Sequence, residues 1–484
     1  MKSKKSQRNK SQARLAATAF LVIGSFPGGE MLHAQTACGP APATDAKDLN
    51  PVTASPSAPD RITLWNEDNA TNQNWMVHAQ NTDIVQGQPG FRSPYAGPNS
   101  LTPGDNVRQT VSIDLYLGAH LWPGGELYFN PEAYQGYGFA STHGLAAFPN
   151  ADAYKIGQPI GDVWIPHLFY RQTFGLGGEQ EQLSSGSLQL AEKEDISRLT
   201  ITTGRFAVTD QFDNNAYAND GRNQFMNWVL VNAGAFDYAA DALGSTEGIS
   251  IELNQKDWAL RWGGFMVDAV QNGVGYDGHI LKAWQDDLEY DRRFSIGKHP
   301  GTIRVISWLM EANMGSYDET VNQFNAGTNP TLDLNQTDKY RYAYGFVLNA
   351  DQEITNDLGV FLRLSYRNGQ TPPWAFTDID HGLSSGAQLQ GVAWGRKDDV
   401  VGIAGFVDEL SDADKNYLEA GGQGLLVGDG KLNYDPEGGL ETYYNCKIAN
   451  HVNVTVDYQF FDNPGYNADR GPVNVFSARL HLEY

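Results

Sequence analysis

The chain has 484 residues and a formal net charge of −23, with 34 Lys and Arg against 57 Asp and Glu. This acidic balance argues against nucleic acid as a partner, because phosphate backbones are bound by clusters of basic side chains. The mean hydropathy is −0.44, and after residue 34 the sequence lacks an apolar run of helical membrane-spanning length. A soluble protein and a β-barrel both fit these properties, because barrel strands need only alternate apolar residues.

The first 34 residues have the order of charge and hydropathy expected of a secretory signal peptide. Six basic residues precede or flank the start of the apolar run Leu15–Phe26, and Leu32-His33-Ala34 offers a cleavage site after Ala34. Residues 35–70 follow, rich in Pro, Ala, Asp and Thr and without periodicity. We predict that they form a periplasmic leader with little regular structure.

From residue 75 onward the hydropathy alternates with a period of two. In Val473–Tyr484 every second side chain from Phe476 is apolar, and the residues between are polar or charged. Such alternation predicts strands with one apolar and one polar face. It is weakest near 124–134, 285–295 and 388–395. Sixteen strands are predicted: 75–85, 110–121, 124–134, 163–174, 198–208, 247–254, 258–267, 285–295, 301–313, 338–350, 358–367, 388–395, 400–409, 438–449, 451–461 and 473–484.

The connections between these strands alternate in length. Several are only a few residues long, whereas 135–162, 209–246, 314–337 and 410–437 are long and rich in Gly, Asn and Asp. Connection 175–197 is an exception, because it is long where a short turn is expected. Up-and-down hairpins with short turns at one end are typical of outer-membrane barrels. Residues 71–484 are therefore predicted to form an all-β, 16-stranded antiparallel transmembrane β-barrel with short periplasmic turns and long extracellular loops.

A secreted β-sandwich or propeller is the competing fold, because alternation only shows that the two faces of a strand differ. The regular difference in loop length favours the barrel. Aromatic residues near strand ends, such as Trp258, Tyr342 and Tyr484, also favour it, because aromatic girdles mark both membrane interfaces of a barrel.

Several segments together resemble the carbohydrate-selective porins of the OprB family. The resemblance runs in order over most of the chain from about residue 70, and it implies a 16-stranded outer-membrane barrel with a preference for sugars. The family usually ends in Phe, whereas this chain ends in Tyr484. The segments that carry the resemblance are Gln86–Leu101, Leu121–Pro131, Ala147–Gly157, Gly204–Trp228 and Asn463–Tyr484.

A channel of this kind needs a wet lumen rather than catalytic groups. Arginine donates paired hydrogen bonds and carboxylates accept them, so both suit vicinal sugar hydroxyls. The same residues also serve simply to keep a lumen polar, and for each one this general role is a serious alternative. The charged residues opposite the apolar stripes, predicted to line the channel, are Asp114, Glu126, Arg171, Arg205, Glu252, Arg261, Arg293, Arg363, Asp457 and Arg479.

Loop 209–246 is predicted to fold inward and constrict the channel. Its Asn and Asp side chains can bond sugar hydroxyls, and an aromatic ring can stack on a pyranose. An Asn-rich surface loop with local turns is the alternative. The predicted sugar contacts in this loop are Asp213, Asn214, Asn215, Arg222 and Trp228.

We find no sequence feature that predicts an enzyme, a cofactor or a metal site. Catalytic and nucleotide-binding motifs are missing, and the pair Asp286 and Asp287 would point to opposite faces of a strand. Cys38 and Cys446 form no disulfide framework and are predicted to be unpaired thiols. His120 and His167 are predicted to be polar strand residues.

The sequence therefore predicts an outer-membrane porin for passive, weakly selective diffusion of mono- or small oligosaccharides into the periplasm. Its expected partners are sugars, outer-membrane lipid and the barrel-assembly machinery, which would recognise the C-terminal strand; a homotrimer is possible. A channel for sugar acids or other small anions is the first alternative. An exported glycan-binding β protein without a pore is the second.

Overall fold

The computed structural model describes residues 72–154 and 161–484, and sixteen of its strands close into an antiparallel barrel. The predicted signal peptide and leader lie outside the described residues. The barrel strands are β1 Trp75–Gln88, β2 Asn106–Trp122, β3 Gly125–Gln135, β4 Asp162–Gly175, β7 Arg198–Phe206, β8 Thr246–Asn254, β9 Trp258–Met266, β10 Trp284–Ile296, β11 His299–Met314, β12 Lys339–Thr355, β13 Leu358–Arg367, β14 His381–Gly391, β15 Arg396–Glu409, β16 Glu437–Ala449, β17 Val452–Asp462 and β18 Val473–Glu483.

The barrel closes between its first and last strands. Strand β1 pairs with β2 on one side and with β18 on the other, with Asp83 opposite Leu480. Beyond β18, the backbone of Tyr484 exchanges hydrogen bonds of 2.7 and 2.9 Å with Ala79. The last residue of the chain therefore takes part in closure, which leaves no open edge in the sheet.

The alternation in the sequence separates the two faces of the barrel. On β2 the side chains of Ser112 and Asp114 are buried inside, whereas Ile113 between them is 42% exposed on the outer face. Outer positions on other strands carry exposed Val456, Phe476 and comparable apolar residues. An apolar outer face and a polar inner face are what a barrel in lipid requires.

The predicted sixteen-stranded barrel is confirmed. One strand begins earlier in the chain than predicted, and the structure shows why connection 175–197 is long. The strand predicted at 388–395 is β14 at His381–Gly391, because Val392–Trp394 turns as a 3₁₀ helix. The sequence of β14 is rich in Gly and Ser and alternates weakly. The long connection after β4 contains a separate two-stranded sheet, β5 Gln180–Leu183 and β6 Glu192–Asp195. We call residues 176–197 the hairpin segment.

The long connections all lie at one end of the barrel, and the hairpin segment lies at the other end among the short turns. The three α-helices lie in the long connections: α1 Trp228–Val231, α2 Tyr317–Asn325 and α3 Asp412–Glu419. Within the described residues, none of the helices combines the length and the hydropathy needed to cross a membrane.

The connection between β7 and β8, residues 207–245, lies inside the barrel, and we call it the inner loop. Its backbone N–H groups at Met226 and Asn227 donate to the carboxylate of Glu441 on β16, at 2.6 and 2.9 Å. Its carbonyls at Gly221 and Gln224 accept from Arg479 on β18. These contacts hold the loop to the nearby strands β16 and β18, and further bonds to Asp114 on β2 and Asn349 on β12 place it across the lumen.

Arg363 on β13 and Asp213 form the most deeply buried anchor of the inner loop. The Nε atom of Arg363 lies 3.0 Å from Oδ1 of Asp213, and its other nitrogens donate to the carbonyls of Asp213 and Leu230. Both side chains are at most 1% exposed. Asn349 also donates to Asp213, at 2.6 Å. Removing one partner from such a pair leaves an uncompensated buried charge.

We predict that Ile113→Arg destabilises the barrel by about 2 to 4 kcal/mol, because Ile113 is on the outer face near the middle of β2. Unfolding by guanidinium in lipid vesicles measures this free energy. Val107→Arg is the matched control, since Val107 lies on the same face at the end of the strand. It should cost at most about 1 kcal/mol. Equal costs at the two positions would contradict a membrane across the middle of the strand.

We predict that Arg363→Gln loosens the inner loop and raises single-channel conductance, at a cost of roughly 3 to 5 kcal/mol in stability. Planar-bilayer recording and vesicle unfolding measure the two effects. Arg304→Gln is the control, because Arg304 is an inner-face cation on β11 that pairs with Asp351 at 2.5 Å. If conductance rises equally in both variants, the rise results from the lost positive charge, and the predicted loosening of the inner loop is wrong.

Candidate functional site

A cavity of about 620 Å³ lies inside the barrel against strands β1, β2, β4 and β7. The inner loop forms one wall with Asp210, Asn214 and Arg222, and the hairpin segment contributes residues 186–189 from the opposite end. The volume falls within the range of about 300 to 1,000 Å³ that is common for small-molecule sites. The cavity is therefore enclosed by two irregular segments and a polar barrel wall.

Aromatic and charged groups meet on the β4 side of the cavity. The rings of Phe169 and Phe206 both line it and contact each other edge-on, with centroids 6.0 Å apart. The guanidinium of Arg171 lies 5.4 Å from the Phe169 ring centroid. It also donates to the Leu188 carbonyl at 3.1 Å. The two rings are buried behind this wall, so the part that a solute can reach is the guanidinium of Arg171 and its polar neighbours.

Arg222 on the inner loop joins three carboxylates at the edge of the cavity. Its nitrogens lie 2.5 Å from Asp114 on β2, 2.8 Å from Glu132 on β3 and 3.1 Å from Asp152 in the connection after β3. The three carboxylates are nearly fully buried. Arg222 therefore holds the inner loop to the wall while its own side chain faces the cavity.

The charges in this cluster depend on each other. Burial raises the pKa of Asp152 above its usual range, although the neighbouring Arg222 opposes the shift. For Arg222, burial acts to lower the pKa, but Asp114 and Asp152 outweigh it and hold the pKa well above the usual range. The guanidinium is therefore charged at every physiological pH.

Nine of the ten charged residues predicted to line the channel have their side chains on the inner face. Arg171 alone among the ten lines the cavity.

The other inner-face residues bond protein groups. Asp114 bonds Arg222, and Glu126 lies 3.6 Å from Arg171. Arg363 and Arg479 anchor the inner loop, and Asp457 bonds Gln459 at 3.2 Å. On the far wall, Arg261 pairs with Glu252 and Glu289, and Arg293 donates to Asn254.

Arg205 is the exception and does not belong to the inner wall. It pairs in register with Leu168, which is 47% exposed on the outer face. Its guanidinium instead lies at the rim, bonded to Asp241 and, at 2.7 Å, to the Tyr276 hydroxyl. Leu199 and Ile201 share its face, and this apolar pattern marks that face of β7 as the outer one.

Two of the five residues predicted to contact sugar line the cavity, Asn214 and Arg222. Asp213 is fully buried against Arg363, and Asn215 donates to Asn349 at 2.7 Å. The ring of Trp228 is 7% exposed and stacks on Phe376 with centroids 5.6 Å apart. These three residues therefore shape the inner loop and do not face the cavity.

Sequence reasoning missed several cavity residues. Tyr116 and Phe169 lie on the inner faces of their strands, a position that alternation could have shown. Asp152 and the residues 186–189 come from connections whose positions only the folded chain defines. His167 bonds Asn130 at 2.7 Å and Asp210 at 2.9 Å, which joins the wall to the inner loop.

Comparison with solved structures supports the fold. The high-pH structure of Pseudomonas putida OprB has a TM-score of 0.66 at 14% identity, over 85% of this chain and 94% of that chain. The outer membrane channel DcaP of Acinetobacter baumannii has a TM-score of 0.46 at 8% identity, over 85% and 97% of the two chains. Only the first of these two structures has a TM-score high enough to support a comparison of folds. The sequence matches none of the curated proteins with which it was compared.

The family model described as "Carbohydrate-selective porin, OprB family" matches residues 98–484. This match includes β2 and every later strand of the barrel, together with the inner loop and the hairpin segment. The chain therefore belongs to the OprB family of carbohydrate-selective porins, which are proteins of the bacterial outer membrane.

Proposed function

We propose that the protein allows passive, weakly selective diffusion of mono- or small oligosaccharides across the outer membrane. The cavity carries this proposal, because the β4 wall and the inner loop present hydrogen-bonding groups to it, among them Arg171, Asn214 and Arg222. Carboxylate, amide and guanidinium groups suit the hydroxyls of a sugar. The family and the fold are of the channel type, and we propose no enzymatic activity.

The solute path is proposed to pass Arg171, Asn214 and Arg222, the three predicted residues that line the cavity. Each has a side chain at a surface where a hydroxyl can replace water. The remaining inner-face residues are proposed to keep the wall polar and to hold the inner loop. Weak, repeated contacts of this kind allow a solute both to enter and to leave.

Neutral sugars are favoured over sugar acids by the charges of the cavity. Asp152, Asp210 and Asp220 line it, against two arginines, Arg171 and Arg222. Three carboxylates against two arginines give the lining no net positive charge, so it offers no net attraction to an anion. A channel for sugar acids, the alternative, would require these arginines to attract an anion without being neutralised by the neighbouring carboxylates.

The partners proposed from the sequence are outer-membrane lipid around the apolar outer face and the barrel-assembly machinery at the C-terminal strand. The exposed apolar residues of the outer face support the first. The position of Tyr484, paired with Ala79 at closure, supports the second. A homotrimer also stays a prediction.

We predict that glucose lowers the single-channel conductance of the purified protein saturably, because bound sugar displaces ions from the cavity. Recording in planar bilayers with glucose and then gluconate titrated to equal concentration measures this. Stronger block by gluconate would support the sugar-acid alternative. Folded protein that forms no channels would support a glycan-binding protein without a pore.

We predict that Arg222→Gln weakens glucose block and raises the cation-to-anion permeability ratio roughly twofold or more, because three carboxylates lose their shared cation. Reversal potentials in a KCl gradient measure the ratio. Lys256→Gln is the control, since Lys256 is 68% exposed in a short turn and pairs with Glu179, away from the cavity. Equal shifts in both variants would contradict a role for Arg222 in the solute path.

A further inference from the structure

Three metal-ligand atoms from His120, Glu126 and Glu192 lie close together at the short-turn end of the barrel. The Nε2 atom of His120 is 3.9 Å from Oε1 of Glu126 and 3.6 Å from Oε2 of Glu192. All three ligand atoms lie within 4.8 Å of one another. Ligands at about 2.0 to 2.2 Å from a tetrahedral zinc ion are separated by roughly 3.3 to 3.6 Å. Small side-chain movements would therefore give metal-binding geometry.

The carboxylate of Glu126 points an unpartnered oxygen into this group. Glu126 is 2% exposed, and its Oε1 has no hydrogen-bond partner among the described residues. The distance of 3.9 Å to His120 is too long for a hydrogen bond. A buried carboxylate oxygen without a partner is energetically unfavourable, because it has lost its hydrogen bonds to water and no protein group replaces them. The arrangement therefore calls for a further positive group between the side chains.

The nearby arginines compensate the two carboxylates of this group only in part. Arg198 pairs with Glu194 at 3.1 Å and with Glu181 at 2.6 Å. Arg171 approaches the other oxygen of Glu126, at 3.6 Å, while it donates to the hairpin segment at Leu188 and Gln189. Within the described residues, Glu192 has His120 as its only ion-pair partner. The site therefore lacks one positive charge, and a cation would supply it.

We propose that His120, Glu126 and Glu192 bind a divalent metal ion of the zinc class, which fastens the hairpin segment to the barrel at the β2–β3 turn. An imidazole nitrogen with two carboxylates suits zinc better than calcium or magnesium, which prefer all-oxygen sites. His120 and Glu126 face each other in register across the β2–β3 hairpin. Glu192 comes from β6, so the ion links two separate elements.

The proposed site stiffens one wall of the cavity. Hydrogen bonds also tie the hairpin segment to the wall, among them one from the Leu190 N–H to the Tyr128 hydroxyl, at 3.1 Å, and a pair with Gln73. Residues 186–189, a few positions before Glu192, line the cavity. A metal ion at Glu192 therefore holds the periplasmic exit of the cavity in one position.

The test is zinc binding to the folded mature protein, produced without a histidine tag, in detergent and after removal of metals with a chelator. Isothermal titration with ZnCl₂ should show one site per chain. His120→Gln and Glu192→Gln should each weaken the affinity at least about tenfold. Cobalt in place of zinc should give a visible absorption band that both variants lose.

Two control variants separate this site from other zinc ligands. His299→Gln removes the histidine of a two-residue pair with Glu353, at 2.7 Å and at the same end of the barrel. Cys446→Ser removes a buried thiol whose sulfur accepts from Arg396 at 3.2 Å. Both should bind zinc as the unchanged protein does, and heat-modifiable gel migration checks that every variant is folded. Absence of zinc binding in folded protein, or equal affinity in the ligand variants, would overturn the proposal in favour of a proton shared between the carboxylates.

Discussion

An irregular loop can occupy the interior of a membrane barrel only if the barrel wall satisfies its backbone groups and its charges. Arg363 and Asp213 show this constraint most clearly, because two opposite charges with at most 1% exposure hold the inner loop to β13. Glu441 applies the same rule to backbone N–H groups, since its two oxygens accept from Met226 and Asn227. Much of the charge on the inner face therefore serves the loop rather than the solute.

Because inner-face charges bond distant parts of the loop, the sequence predicts the strands but does not predict the partners of these charges. Alternation predicts strands because lipid and lumen impose opposite polarity on successive residues, and it succeeded for β2, β17 and β18. It failed for β14, where Gly and Ser give no contrast between faces. It also placed Arg205 on the wrong face, since a rim arginine can reach a partner such as Asp241. Partners that come from distant connections, such as Asp152 for Arg222, leave no pattern in the sequence.

The chemistry of the cavity depends on balanced rather than excess charge. Arg222 meets three carboxylates, and Arg171 meets Glu126 as well as the ring of Phe169. A neutral polyol can exchange hydrogen bonds with such groups without bringing a charge of its own. An anion would have to compete with carboxylates that are already in place, and a cation with the arginines. Balanced pairs of this kind support the proposed preference for uncharged polar solutes over ions of either sign.

The position of the cavity follows from where the inner loop is anchored. Strands β10, β12, β13, β16 and β18 contribute side chains that bond the loop: Glu289, Asn349, Arg363, Glu441 and Arg479. The loop packs against that part of the wall, Arg222 and Asp210 reach across to β2 and β4, and the open volume lies beside these crossings, against β1, β2, β4 and β7. The hairpin segment reaches the same volume from the opposite end through residues 186–189. Because two irregular segments bound one side of the lumen, we expect the proposed solute selection to depend on their positions more than on the diameter of the barrel.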